Sequence, residues 1–197
     1  MSLPLSGVTP NTKGGFVTGP GVVYKNYDLE IPRDDETQPG VPLGATRGGV
    51  TFNSNIVTRQ IPVDGLMDPV KCFNKRAPGA GPQLTVRLLE LTQETLKLSL
   101  PGAVITENGG VTAGEISDES YIDNITFICS TTDPNGKYFY IVIRNALATA
   151  VSPMSFPDND EGVLEVTFTG HRLITDLATE PFEFITADAN PEEEGDG

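Results

Sequence analysis

Histidine is nearly missing from this 197-residue chain, which carries a single one, His171. A lone imidazole has no second ligand of its own kind and no identifiable nucleophile beside it. His171 is therefore expected to be a structural or surface residue, and the usual routes to a zinc centre or a hydrolytic triad are closed. Cysteine is almost as scarce: Cys72 and Cys129 make no disulfide framework. The opening Met1-Ser2-Leu3-Pro4-Leu5 lacks a basic stretch followed by an apolar run, so no secretory signal is expected. Two reduced thiols are then the better expectation, a single disulfide the alternative, and synthesis in a cytoplasm follows. Basic residues are few, 13 against 27 acidic ones, for a net charge of −14. Holding nucleic acid by its phosphates takes clustered Lys and Arg, and this chain does not offer them. Tryptophan is absent, and so are long apolar runs; Phe139-Tyr140-Ile141-Val142-Ile143 has the length of a strand, not of a membrane span.

What the chain does have is 21 glycines and 16 prolines, a loop-rich composition that fits a β protein better than a helical one. Residues 1–43 are dominated by Gly, Pro, Asn and Asp and predict an extended arm with one strand, Gly21 to Tyr27. Gly49 to Ile61 predicts a long strand or a bent pair. Residues 62–82 then form a loop too long for a mere connection, with Val70-Lys71-Cys72-Phe73 as a possible short strand at its tip. In Gln83 to Leu91, Leu84, Val86 and Leu88 alternate with Thr85 and Arg87. A helix follows, with Thr92 as N-cap, Leu91 and Leu96 as a hydrophobic staple, Glu94 in the first turn and Pro101-Gly102 as the stop. Residues 102–120 predict a Gly-rich connection. Strands are expected from Tyr121 to Ser130 and Lys137 to Asn145, joined by the turn Asp133-Pro134-Asn135-Gly136. Gly162 to His171 alternates Leu164, Val166 and Phe168 with Glu165, Thr167 and Thr169. A last strand, Phe182 to Ile185, precedes an acidic tail over 188–197. About seven strands and one short flanking helix predict a β-sandwich or partial barrel, as a single domain over 44–187.

Chemistry-bearing patterns are thin. Asp158-Asn159-Asp160-Glu161-Gly162 has carboxylates, but in the register of an EF-hand loop Thr169 would stand where the bidentate Glu is needed and Val163 where Gly is. A polar turn is the better reading. Asn124-Ile125-Thr126 matches a glycosylation acceptor but opens an apolar strand, so the match is ascribed to chance. Gly14-Gly15, Gly48-Gly49 and Gly109-Gly110 lack the strand-to-helix setting of a phosphate loop. Glu90, Glu107 and Glu115 are scattered, and nothing in the sequence pairs them. No catalytic constellation, metal or cofactor is expected.

The order of phrases from Gly44 onward is more informative. Gly44-Ala45-Thr46-Arg47-Gly48-Gly49-Val50 leads to Ile61-Pro62-Val63-Asp64-Gly65 and Pro69-Val70-Lys71. Then come Leu84-Thr85-Val86-Arg87-Leu88-Leu89-Glu90-Leu91-Thr92 and Leu98-Ser99-Leu100-Pro101-Gly102-Ala103. Asp123-Asn124-Ile125-Thr126, Arg144-Asn145-Ala146-Leu147, Gly162 to Thr169 and Thr179-Glu180-Pro181-Phe182 complete the series. In order and spacing, residues 44–186 resemble the major tail tube proteins of siphophages, the long-tailed bacteriophages.

The resemblance implies a β-sandwich-like fold with a flanking helix, related to the tubes of contractile tails and of type VI secretion. It implies six-membered rings whose inner strands join into one shared barrel. The rings would stack around a tape measure protein and meet terminator and baseplate or tip proteins at the ends of the tail. Such a particle is assembled in the bacterial cytoplasm, and DNA crosses its lumen without specific binding. Carried onto this sequence, Val63, Asp64, Gly65, Pro69, Val70 and Lys71 belong to an inter-ring loop. Glu165, Thr167 and Thr169, alternating with core residues, are expected to face the lumen, where six copies of Glu165 would form a ring of negative charge. The segment before Gly44 is expected to order only on neighbouring subunits. Two other readings compete: an immunoglobulin-like surface module using residues 62–82 for recognition, or another tail part such as a terminator or connector.

Overall fold

Alternating strands near the middle and end of the chain build the centre of the molecule. The computed structural model describes residues 20–30, 39–64, 74–77, 79–132, 136–151, 156, 158 and 161–188. Its elements are β1 (Gly21–Lys25), β2 (Val41–Pro42), β3 (Thr46–Asn53), β4 (Val57–Gln60), β5 (Asn74–Ala77), β6 (Gln83–Leu88) and α1 (Gln93–Ser99). There follow β7 (Val104–Ile105), β8 (Val111–Thr112), a 3₁₀ turn (Asp118–Ser120), β9 (Ile122–Thr132), β10 (Lys137–Val151), β11 (Leu164–Gly170) and β12 (Phe182–Asp188). The chain is mainly β. One sheet runs β2-β1-β9-β10-β11-β6-β3, with β12 also on β10, while β4–β5 and β7–β8 stand apart as hairpins.

β10 organises this sheet. One edge pairs with β9 from Tyr138 to Ala146. The other edge takes β12 along Lys137 to Ile143 and then β11 along Ala146 to Val151. The changeover falls at Asn145, whose φ of 47° lies in the left-handed region that asparagine tolerates better than most residues. There the sheet turns back on itself. Val23 of β1 and Ile125 of β9 accordingly share one buried cluster with Leu84, Val86 and Leu88 of β6 and Leu164, Val166 and Phe168 of β11. A second cluster of Tyr27, Ile128, Tyr140 and Val142, with Tyr24 and Tyr138 packed on it, covers the opposite face of β9 and β10.

The helix begins as its sequence predicts. Thr92 Oγ1 accepts from Thr95 N at 3.2 Å, and Thr95 Oγ1 accepts from Thr92 N at 2.8 Å, a reciprocal cap. Leu96 and Leu98 pack on the main core, but Leu91 stays exposed, so the expected staple adds little burial. Seven residues make too short a helix to stand alone, and the sheet holds it.

Several boundaries differ from expectation. Among the described residues there are twelve strands rather than about seven: β2, β7 and β8 are only two residues long, β4 is the second half of the bent segment, and β5 pairs with it. The segment Gly49 to Ile61 is the bent pair and not one strand. Asn55, at φ 48°, breaks it, its N–H donating to Asn53 Oδ1 at 3.0 Å. Gly44 is not a fold boundary. β1 pairs with β9 from Gly21 to Lys25, and both Val23 and Leu43 are core residues. Asn124 secures this join, since Oδ1 accepts from Tyr27 N at 2.9 Å and Nδ2 donates to Tyr27 O at 3.1 Å. Within the expected arm, Gly21–Lys25 and Val41–Pro42 are thus strands of the sheet, while residues 1–19 and 31–38 lie outside the described residues. Asp188, assigned to the acidic tail, closes β12 opposite Lys137. The connection over 102–120 contains the β7–β8 hairpin. The short strand expected at Val70 to Phe73 lies outside the described residues.

Candidate assembly surfaces

β6 and β11 bury one face, so their alternate residues form the outer face of the β10–β11–β6–β3 sheet. Register sets Glu165 opposite Arg87, Thr167 opposite Thr85 and Thr169 opposite Gln83. Each pair is bonded. Arg87 Nε donates to Glu165 Oε2 at 2.6 Å, the Thr85 and Thr167 hydroxyls lie 2.9 Å apart, and Gln83 Nε2 reaches Thr169 Oγ1 at 3.4 Å. The hydroxyl of Thr149 on β10 sits 2.5 Å from that of Thr169. At the Glu165 end, Arg47 adds a further pair with Glu161 at 2.8 Å.

The expected lumen residues therefore share one face, with two corrections. Thr169 is buried, covered by Thr149 and Gln83. Glu165 is no isolated negative charge, because Arg87 answers it across the strand pair. The face is polar and, in these pairs, neutral. The edge of this sheet is β3, eight residues long, whose outer side pairs with no strand among the described residues. Gly48 and Gly49, at φ 82° and 80°, put an irregularity into it.

A second surface lies where β11 ends. The loop over 171–181 is pinned at both roots to the β10 changeover. His171 N donates to the carbonyls of Arg144 and Asn145 at 3.2 Å, and Arg144 N donates to Pro181 O at 2.8 Å. Asn145 Nδ2 donates to His171 O at 3.1 Å. The His171 ring lies edge-on to Tyr121, the structural part expected of it. Within the loop, Asp176 Oδ1 accepts from Ala178 N at 3.3 Å and Thr179 N at 3.2 Å. A hydrogen bond from the Thr179 side chain, then these backbone bonds and the Arg172 charge, hold the Asp176 carboxyl below its ordinary range. Glu180 joins Arg172, at 2.5 Å, to Arg76 of β5, tying the loop to the β4–β5 hairpin.

That hairpin carries part of the expected inter-ring loop. Val63 and Asp64 are exposed in the connection that leaves β4 beyond the Gln60–Asn74 pair, whereas Gly65, Pro69, Val70 and Lys71 lie outside the described residues. Sequence reasoning did not single out the 171–181 loop. Its one signal is Asp176, two residues ahead of Ala178, the spacing of an Asx turn.

Other candidate chemistry is occupied by structure. Glu90 Oε1 accepts from Ala45 N at 2.9 Å, and Glu107 and Glu115 stand exposed. The Asn124 amide is committed to Tyr27. Cys129 is a buried free thiol, and Cys72 lies outside the described residues. Among the described residues no three metal-binding side chains cluster, and no helix is long and apolar enough to cross a membrane.

No protein-family model matches the chain, and no curated protein matches it. A solved structure described as a crystal structure of Hcp protein aligns with a TM-score of 0.37 at 9% identity, over 78% of this chain and 89% of that one.

Proposed function

We propose that this chain is a building subunit rather than a catalyst, assembling with copies of itself into stacked rings that form a tube. The observation that carries the reading is the open sheet β10–β11–β6–β3, which among the described residues ends at β3 and turns a self-paired polar face outward. An uncovered edge is a template for another strand, and ring closure removes it. Contacts along the axis do not close, so the assembly extends. The order of phrases over 44–186 narrows the reading to the tail tube of a siphophage. Its partners are then further copies, a tape measure protein, terminator and tip proteins, and its place is the virion tail.

In this reading the outer face lines the bore. DNA crossing a narrow tube must not adhere, and a guanidinium left uncovered would neutralise phosphate and release counterions, giving affinity at every ring. Glu165 prevents that by holding Arg87. The hydroxyls of Thr85, Thr149, Thr167 and Thr169 bond to one another and present few open donors to a passing phosphate. Negative-stain microscopy of the purified, concentrated chain tests the reading. Tubes with a central bore are expected. A monomer at every concentration, alone or with a tape measure fragment, would reject it in favour of a surface-binding module.

A further inference from the structure

The loop over 171–181 shows an unusual combination of order and exposure. Leu173, Ile174 and Leu177 are 53, 90 and 62% exposed. Yet both roots of the loop are bonded to β10, and Asp176 closes its interior. The apolar side chains are therefore held out on a fixed frame instead of folding down. Charges near the tip are already answered: Arg172 and Arg76 meet at Glu180, and Asp176 accepts two backbone N–H groups. The charges at the root of the tip are thus paired through Glu180 Oε1, while Glu180 Oε2 is buried without a hydrogen-bond partner among the described residues.

An apolar receptor exists elsewhere on the same chain. A cleft of about 520 Å³ opens between β3 and the β1–β9 pair, lined by Val50, Phe127, Phe139 and the glycines Gly21, Gly48 and Gly49. The absence of a side chain at Gly21 makes room for the Phe127 ring, since a Cβ there would meet its Cε2 at 2.2 Å. Beside it, Phe184 stacks on Phe139 with half its surface exposed.

The two features lie at opposite ends of the same strands. The tip leaves β11 after Gly170, whereas the cleft begins at Thr46, level with Leu88 and Leu164 at the other end. Six residue steps separate these ends, roughly 20 Å at about 3.3 Å per residue. Tip and cleft of one molecule are thus separated along the strands, and those of successive molecules can meet.

We propose that the tip formed by Leu173, Ile174 and Leu177 seats in the phenylalanine-lined cleft of a second copy of this chain, a head-to-tail contact. A net charge of −14 makes copies repel, so association needs an apolar contact of this kind. The proposal deepens the tube reading and rests on it for the final architecture alone.

Sedimentation velocity and microscopy on the wild type, Ile174→Asp and Ile174→Leu test it, with circular dichroism as a check on folding. The wild type and Ile174→Leu are expected to associate alike, and Ile174→Asp to need at least a ten-fold higher concentration. In a Cys72→Ser, Cys129→Ala background, which removes the native thiol that also lines the cleft, a mixture of Ile174→Cys and Thr46→Cys chains should form disulfide-linked dimers that neither chain forms alone. Unchanged association of Ile174→Asp, or no cross-link in the mixture, overturns the contact. Tubes that persist in Ile174→Asp reject the contact but keep the tube reading. Oligomers that depend on Ile174 yet never become tubes do the reverse. A wild type that stays monomeric rejects both.

Discussion

The two faces of β6 and β11 carry different kinds of information. On the inner face, Leu84, Val86, Leu88, Leu164, Val166 and Phe168 are all fully buried. Their worth lies in shape and volume. On the outer face, Gln83, Thr85, Arg87, Glu165, Thr167 and Thr169 meet as matched polar pairs. Their worth lies in satisfying one another, which adds little stability but fixes what the surface offers to anything that slides along it. A strand alternates these two demands residue by residue, so changes at adjacent positions should separate them.

β11 supplies the series. Phe168→Ala should cost roughly 3–5 kcal/mol, because the sheet on both sides cannot collapse into the space; urea denaturation would measure it. A loss near that of an exposed residue would break the comparison. Thr169→Val, one position on, removes an oxygen shared with Thr149 and Gln83 from a buried site. About 1 kcal/mol is expected, the scale of one hydrogen bond. Glu165→Gln should shift stability by less than about 1 kcal/mol, as an exposed pair does. Its larger effect is on the surface. Arg87 is left without its carboxylate, so assembled particles should release DNA more slowly at low salt, with recovery as salt rises and screens beyond roughly 8 Å. Salt-independent release would detach this face from the bore.

The smallest effect concerns the loop after β11. The Asp176 carboxyl lies below its ordinary range in the folded chain. Its contribution is therefore present above the unfolded carboxylate pKa and lost as pH falls through the lower folded value. The protection factors of Ala178 and Thr179, with the intrinsic pH dependence of exchange divided out, should hold near neutrality and fall only below the ordinary carboxylate range. Loss of protection at mildly acidic pH would show that Asp176 does not hold the loop.

Local chemistry made part of this legible. Thr92 announced the helix start, and the alternation at Gln83–Leu88 and Leu164–Gly170 announced both faces of the central strands. What stayed hidden depends on partners distant in sequence. Val23 looked like part of an arm because its neighbours are Gly and Pro, but β9, about a hundred residues away, buries it. Arg87 and Glu165 were each placed on a polar face, yet only the antiparallel register brings them together. Asn145 marks the changeover in β10 through a left-handed φ that its residue type permits but does not demand. The apolar tip at Leu173 to Leu177 carried no signal, since exposure is a property of the surroundings.

β10 also has a mechanical consequence. One fifteen-residue strand is laddered to β9 along one edge and to β12 and then β11 along the other. Tension applied along that strand loads these ladders in shear, so many hydrogen bonds must fail together instead of one after another as in a peeling hairpin. The two-rung hairpin β7–β8 has no such protection. Under a pull along the strands, the molecule should yield first at its periphery while the beam through its middle holds.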